Sequence, residues 1–163
     1  MPIPIYLWLN DDNGKSIQGS VDVREREGSI EVICFVHTIE IPNDNLTGGI
    51  TGTRIHQPIG FMKEIDASSV YLYQAVTTGK TLRSAEFKLY HIDYAGQEVE
   101  YASILLEKVK VVSITPVMYD IQDTAYEKKG HIEAVELFYE KITWTHKDGN
   151  ITHSDSWNER QTA

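Results

Sequence analysis

The sequence predicts a mainly β fold, a small barrel or sandwich with one short helix and a long exposed loop. Three features carry that expectation. β-Branched and aromatic residues recur in short runs closed by Gly, Asn and Asp. A single stretch, near residues 68–79, has helical spacing. Asn13-Gly14 and Asp148-Gly149 are turn signals between strand-like runs, because their residue types tolerate positive φ.

Residues 3–9 form the first apolar run, closed by Asp11-Asp12-Asn13-Gly14, and residues 17–23 form the second. The charged cluster Arg24-Glu25-Arg26-Glu27-Gly28 reads as a solvated segment or a subunit contact. A longer run over 29–41 ends at Pro42. Residues 43–54 hold three glycines, two asparagines and three threonines, which predicts a long exposed loop or a flexible hairpin with little to bury. Such loops in compact domains are more often functional than incidental. Strand character returns over 55–65.

Ser68-Ser69 is the expected helix cap, since a hydroxyl can accept from the orphan N–H groups of the first turn. Leu72, Ala75 and Val76 then form one apolar stripe, and Gly79 is placed as a C′ glycine. Residues 84–93 pair with 99–112 across Tyr94-Ala95-Gly96-Gln97, and 114–121 continue past Pro116. Residues 122–130 are polar and predict a loop, and 132–146 form a long run. Lys147-Asp148-Gly149-Asn150 turns the chain into a returning strand over 151–157, pairing His146 with Ile151 and Trp144 with His153. No repeat or linker divides the chain, so one domain over 1–163 is expected.

Charge narrows the function. Lys and Arg number 15 against 24 Asp and Glu, a net charge of −9. That balance argues against nucleic-acid binding and against docking on anionic lipid, both of which need clustered cations. One cysteine, Cys34, excludes an intramolecular disulfide framework and a multi-cysteine zinc cage, and its apolar neighbours predict a buried, inert thiol. The N-terminal run has no basic region before it and is interrupted by Pro2 and Pro4, so it does not read as a leader. Synthesis in the cytoplasm is expected, with any export by a route that cleaves no signal.

No catalytic constellation stands out. Gly79-Lys80-Thr81 spells the end of a phosphate loop, but Gln74 occupies the first glycine's place and the tripeptide follows a helix instead of preceding one. His153-Ser154-Asp155-Ser156 sets triad residue types side by side, where strand alternation sends neighbours to opposite faces. His146 and His153 share a face as diagonal neighbours, but two imidazoles without carboxylates make a poor metal site. Asp11-Asp12-Asn13-Gly14 lacks the ligand spacing of a calcium loop. The residues alone describe an acidic, mostly β binding or assembly domain. A small-ligand barrel without assembly is the alternative, with an enzyme whose site goes unrecognised behind it.

Several stretches carry more than periodicity. They are Gly19-Ser20-Val21-Asp22-Val23 with Glu27-Gly28-Ser29-Ile30-Glu31-Val32, residues 46–54 followed by His56-Gln57-Pro58, and Phe61-Met62-Lys63-Glu64-Ile65-Asp66. Tyr71-Leu72-Tyr73-Gln74-Ala75-Val76-Thr77-Thr78-Gly79, Gln97-Glu98-Val99-Glu100-Tyr101, Ile142-Thr143-Trp144 and Asp155-Ser156-Trp157-Asn158 complete the set. In this order and spacing the chain resembles, end to end, the Hcp family, the haemolysin-coregulated tube proteins of bacterial type VI secretion, and most of all its enterobacterial-type members. Val70 stands where relatives often have proline.

The resemblance implies a small β-barrel of two packed sheets with one flanking α-helix and a long protruding loop. It implies homohexameric rings that stack into a tube, which sheath contraction drives out of the cell. Implied partners are a trimeric spike at the tip, sheath and baseplate proteins, and effector proteins held in the lumen. No cofactor, metal or catalytic residue is implied, and with the sequence ending at Ala163 no fused toxin domain is expected. The ring-stacking loop maps onto Asn43, Asp44, Asn45, Leu46, Thr47, Gly48, Gly49, Thr51, Gly52, Thr53 and Arg54. A polar loop offers few anchors, so a weak joint between rings is expected. By family position, lumen contacts fall to Glu31, Ile33, Phe35, Val36 and His37.

Overall fold

The computed structural model describes residues 3–159. Its elements run β1 (Ile5–Asn10), β2 (Ser16–Ile17), β3 (Ile30–Val32), β4 (Cys34–Val36), β5 (Ile39–Glu40), β6 (Ile55–His56), β7 (Ile59–Glu64), α1 (Ala67–Thr78), β8 (Thr81–Ile92), β9 (Glu98–Val117), β10 (Ile132–Phe138), β11 (Lys141–His146) and β12 (Ile151–Ser156). Among the described residues the fold is mainly β, with two sheets and one helix, as the sequence leads one to expect.

The large sheet follows the path β2-β1-β8-β9-β10-β7-β4, with β3 added to β1 and the β11–β12 hairpin added to β9. β9 is its spine. On one flank it pairs β8, and on the other it pairs β11 through residues 102–107 and β10 through residues 110–117. Lys108, at φ 52°, marks the switch between the two partners. The β8 ladder stops at Lys110, so among the described residues one flank of β9 has no strand partner beyond it. Pro116 can therefore sit in the strand without breaking a ladder on both sides.

The bent segment over 30–36 brings the ends of the path together. β3 pairs β1 (Ile5 opposite Val32), β4 pairs β7 (Cys34 opposite Met62), and the Ile33 amide donates to the Met62 carbonyl at 2.8 Å. This makes the molecule barrel-like without a continuous ladder between β1 and β7. The bend also breaks alternation once. Ile30 and Val32 face the core, Ile33 and Cys34 both face out, and Phe35 returns inward. Cys34 is thus exposed, not buried as its apolar neighbours suggested, because the bend shifts the pleat by one residue.

The interior is filled by side chains from β1, β7, β8, β9 and β10. Leu7, Leu9, Phe87, Leu106, Val109, Val135 and Leu137 are fully buried. Phe87 packs edge-on against both Phe35 at 5.1 Å and Phe61 at 5.5 Å, a preferred aromatic geometry. Helix α1 lays Leu72, Ala75 and Val76 on this core, the stripe read from the sequence.

The cap of α1 differs from the expectation. Asp66 is the N-cap, and its carboxylate accepts from the Ser68 amide at 2.9 Å. Ser69 occupies N3 and its hydroxyl accepts from the Asp66 amide at 3.1 Å, so the serines belong to a capping box and do not begin it. Gly79 closes the helix at φ 68°, the left-handed conformation that favours glycine.

Residues 18–29 are not strand, although 17–23 read as one. Backbone bonds from Gly19 to Gly28 and from Val21 to Ser29 fold them into an irregular excursion. Gly19 is needed there, since a Cβ would meet the Ser29 carbonyl oxygen at 2.3 Å. Arg26 is neither solvated nor free. Its guanidinium lies 4.1 Å over the Tyr90 ring and 5.0 Å from Tyr6, and it pairs with Glu98.

Candidate functional site

Residues 39–56 form a hairpin that stands apart from the large sheet. β5 pairs β6, with Ile39 opposite His56 and Glu40 opposite Ile55. Further out, Asn43 bridges Ile50 and the Thr51 amide donates to the Pro42 carbonyl at 2.9 Å. The tip is a tight turn. The Asp44 amide donates to the Gly49 carbonyl, the Gly48 amide to the Asp44 carbonyl, and the Leu46 amide to the Asp44 carboxylate. That last bond, first among the causes, holds the Asp44 carboxyl below its ordinary value. Gly48 takes φ 73°, which the turn requires.

The hairpin has no core of its own. Leu46 at the tip is 96% exposed and Ile50 is 72% exposed, and Ile41 and Ile55 are exposed too. Few apolar anchors were expected from its composition; instead, the hairpin holds out several aliphatic side chains around a polar turn.

Its root is fixed by a network that sequence reading missed. The Arg54 guanidinium donates to the Asp155 carboxylate at 2.5 Å, and to the Ser156 and Glu159 carbonyls at 2.8 and 2.7 Å. His56 contacts the same Asp155 oxygen through Nε2 at 2.7 Å and the Tyr139 hydroxyl through Nδ1 at 2.6 Å. His37 Nε2 reaches that hydroxyl from the other side, at 3.0 Å. Tyr139 and His56 are buried, and His37 is half-buried. Arg54, helped by His56, holds the Asp155 carboxyl below its ordinary value, against burial. Burial pushes the Tyr139 phenol up, with Asp155 adding to it. Bonded pairs in this network lie up to 105 positions apart in sequence, so no local pattern could have joined them. The one usable signal was an arginine and a histidine at the end of a Gly- and Thr-rich stretch.

The residues mapped to the lumen fall on two surfaces. Glu31, Ile33 and Val36 are exposed. Phe35 packs on Phe87 and His37 turns into the hairpin root, so the bend at Ile33 removes these two from the outward set.

The other candidate sites resolve into structure. Gly79-Lys80-Thr81 ends α1 and begins β8. His146 pairs with Ile151 and Trp144 with His153, the register the turn predicted, and His153 stacks on Trp144 at 5.9 Å. Among the described residues no group of three or more His, Cys, Asp or Glu is arranged to hold a metal. Among the same residues no helix is long and apolar enough to cross a membrane.

Known proteins share the sequence and fold of this chain. The family described as type VI secretion system effector, Hcp, matches residues 6–146. The chain is 35% identical to the major exported protein of Pseudomonas aeruginosa, over 96% of each chain. It is 63% identical to a solved mutant of the Hcp1 protein from E. coli EAEC 042, covering 96% of this chain and 99% of that one, with a TM-score of 0.87. The secreted protein Hcp3 from Pseudomonas aeruginosa superposes with a TM-score of 0.77 at 26% identity, over 97% and 100% of the two chains. Fold and sequence together place the chain in the class of type VI secretion proteins. Within that class, it belongs to the Hcp family.

Proposed function

We propose that this chain is a tube subunit and exported carrier, in which six copies form a ring and hairpin 39–56 joins one ring to the next. The observation that supports the joint is the hairpin itself. It projects Leu46 and Ile50 into solvent while Arg54 pins its root to residues 155–159. A projection with exposed aliphatics and no core of its own gains by burying them on another subunit. Backbone pairing along its edge could add to that contact. Asn43, Asp44, Asn45, Thr47, Gly48, Gly49, Thr51, Gly52 and Thr53 give the tip its shape and hydrogen-bonding groups.

Closed cyclic symmetry would cover the open strand edges that a barrel-like sheet otherwise leaves. Glu31, Ile33 and Val36 are the candidates for facing effector proteins in the lumen. Spike, sheath and baseplate proteins are the remaining partners in this reading. The work is structural, with no turnover, and export proceeds without a cleaved signal.

The test is deletion of residues 45–53, read by light scattering and negative-stain imaging. Folded single rings that do not stack are the expected result. Normal tubes from the variant would overturn the assignment of the joint.

A further inference from the structure

We infer that the Tyr139 hydroxyl, held between the His37 and His56 imidazoles, is the hub of an acid-sensitive latch that fastens the root of the protruding hairpin to the turn between β10 and β11. Three contacts run in series, from His37 Nε2 to Tyr139 at 3.0 Å, from Tyr139 to His56 Nδ1 at 2.6 Å, and from His56 Nε2 to Asp155 at 2.7 Å. A carboxylate only accepts, so His56 Nε2 carries a proton. One hydroxyl has one proton, so it can donate to one imidazole while accepting from the other.

With both rings neutral, three protons fill the three contacts. His37 donates to Tyr139, Tyr139 to His56, and His56 to Asp155. A fourth proton also fits, provided one ring stays neutral. The Tyr139 proton then points at whichever imidazole still has a lone pair. A fifth proton does not fit. Both rings would then donate to the hydroxyl, and its own proton would lose its acceptor in a buried place. Two imidazolium cations would also face each other across one oxygen atom.

The surrounding charges do not remove this limit. Asp155 on β12 is already shared with Arg54, and Arg54 also takes the Ser156 and Glu159 carbonyls. Tyr139, between β10 and β11, is neutral, since burial pushes its phenol up. For His37, burial pushes the imidazole below its ordinary value, the Gln57 backbone offsets part of that, and His56 adds to the lowering. A proton therefore enters His37 only in acid, and once both rings are cationic the hub has lost its acceptor. What opens is the contact of the hairpin root with the β10–β11 turn, while Arg54 and the His56–Asp155 contact still hold β12 and the β8–β9 ladder has no part in it.

The inference concerns regulation of the hairpin, and its bearing on stacking rests on the function proposed above. The test is amide hydrogen exchange of the full chain between pH 7.5 and 5, corrected for intrinsic rates. The reporters are the Thr51 amide, which donates to Pro42 within the hairpin, and the Gln57 amide, which donates to Thr38 at its root. Their protection should fall by about tenfold relative to the β8–β9 amides, the equivalent of one pKa unit. In His37→Gln, which keeps a polar side chain that does not titrate, that extra loss should disappear. In Tyr139→Phe the amides should be less protected at pH 7.5 and respond less to acid. Unchanged hairpin protection in the parent chain, or an equal response in His37→Gln, would overturn the latch. Exchange reads the latch alone, and the tubes of the 45–53 deletion read the stacking function alone, so either can fail without the other.

Discussion

Lys63 and Glu133 face each other across β7 and β10, both fully buried, with the Lys63 ammonium 2.8 Å from a Glu133 carboxylate oxygen. The same ammonium reaches Asp66 and Ser69 at 3.0 Å and the Glu64 carbonyl at 2.9 Å. One cation therefore serves two carboxylates at the N-terminus of α1. Burial pushes the Asp66 carboxyl up, but the Ser68 hydroxyl and Lys63 outweigh it and leave the group below its ordinary value. Lys63→Met should cost about 3–5 kcal/mol, because it strands buried negative charge. Paired with Glu133→Leu, part of that loss should return. Urea unfolding of the two variants checks this, and a Lys63→Met chain as stable as the parent would contradict it.

Arg26 should matter more than an exposed charge run suggests. Its guanidinium touches Tyr6, Tyr90 and Glu98 together. Arg26→Ala should cost about 2 kcal/mol, and Arg26→Lys should restore little, since an ammonium lacks the flat face that stacks on a ring. Full rescue of thermal stability by lysine would show that charge alone is at work.

Stability should carry an acid-labile component from Asp155. Arg54 is the main cause of its lowered pKa. A carboxyl depressed in the folded chain binds fewer protons there than in the unfolded chain. Its contribution is present above the ordinary value, about pH 4, and is lost as pH falls through the lower folded value. Arg54→Met should move the Asp155 titration back upward, which NMR of the side-chain carboxyl detects. An unmoved titration would mean that the ion pair does not govern it.

Cys34 of the isolated chain should react with one equivalent of a thiol reagent without denaturant, because it faces out beside the bend. Reaction only after unfolding would place it inside.

Much of the fold is legible because its signals are local. Asp148-Gly149 set the β11–β12 register, and Gly79 ended the helix where a left-handed residue was needed. The failures come from long-range terms. The burial of Arg26 depends on two aromatic rings from β1 and β8, and the pleat shift at Ile33 depends on β3 and β4 serving different partner strands. The helix cap was misplaced by two or three residues because aspartate and serine both cap well. The hairpin's position was legible, while its root was not, since Tyr139 and Asp155 reach it from the far end of the chain.

The bend at Ile33 also bears on how such a surface can diverge. Residues 31, 33, 34 and 36 face outward, while residues 30, 32 and 35 close the structure from within. The two sets interleave along seven consecutive positions but share no side chain. Mutation can rewrite the outer set, altering what the segment presents to another molecule, while the inner set goes on holding β1 and β7 together. Selection on contacts and selection on folding thus act on separate letters of one short stretch.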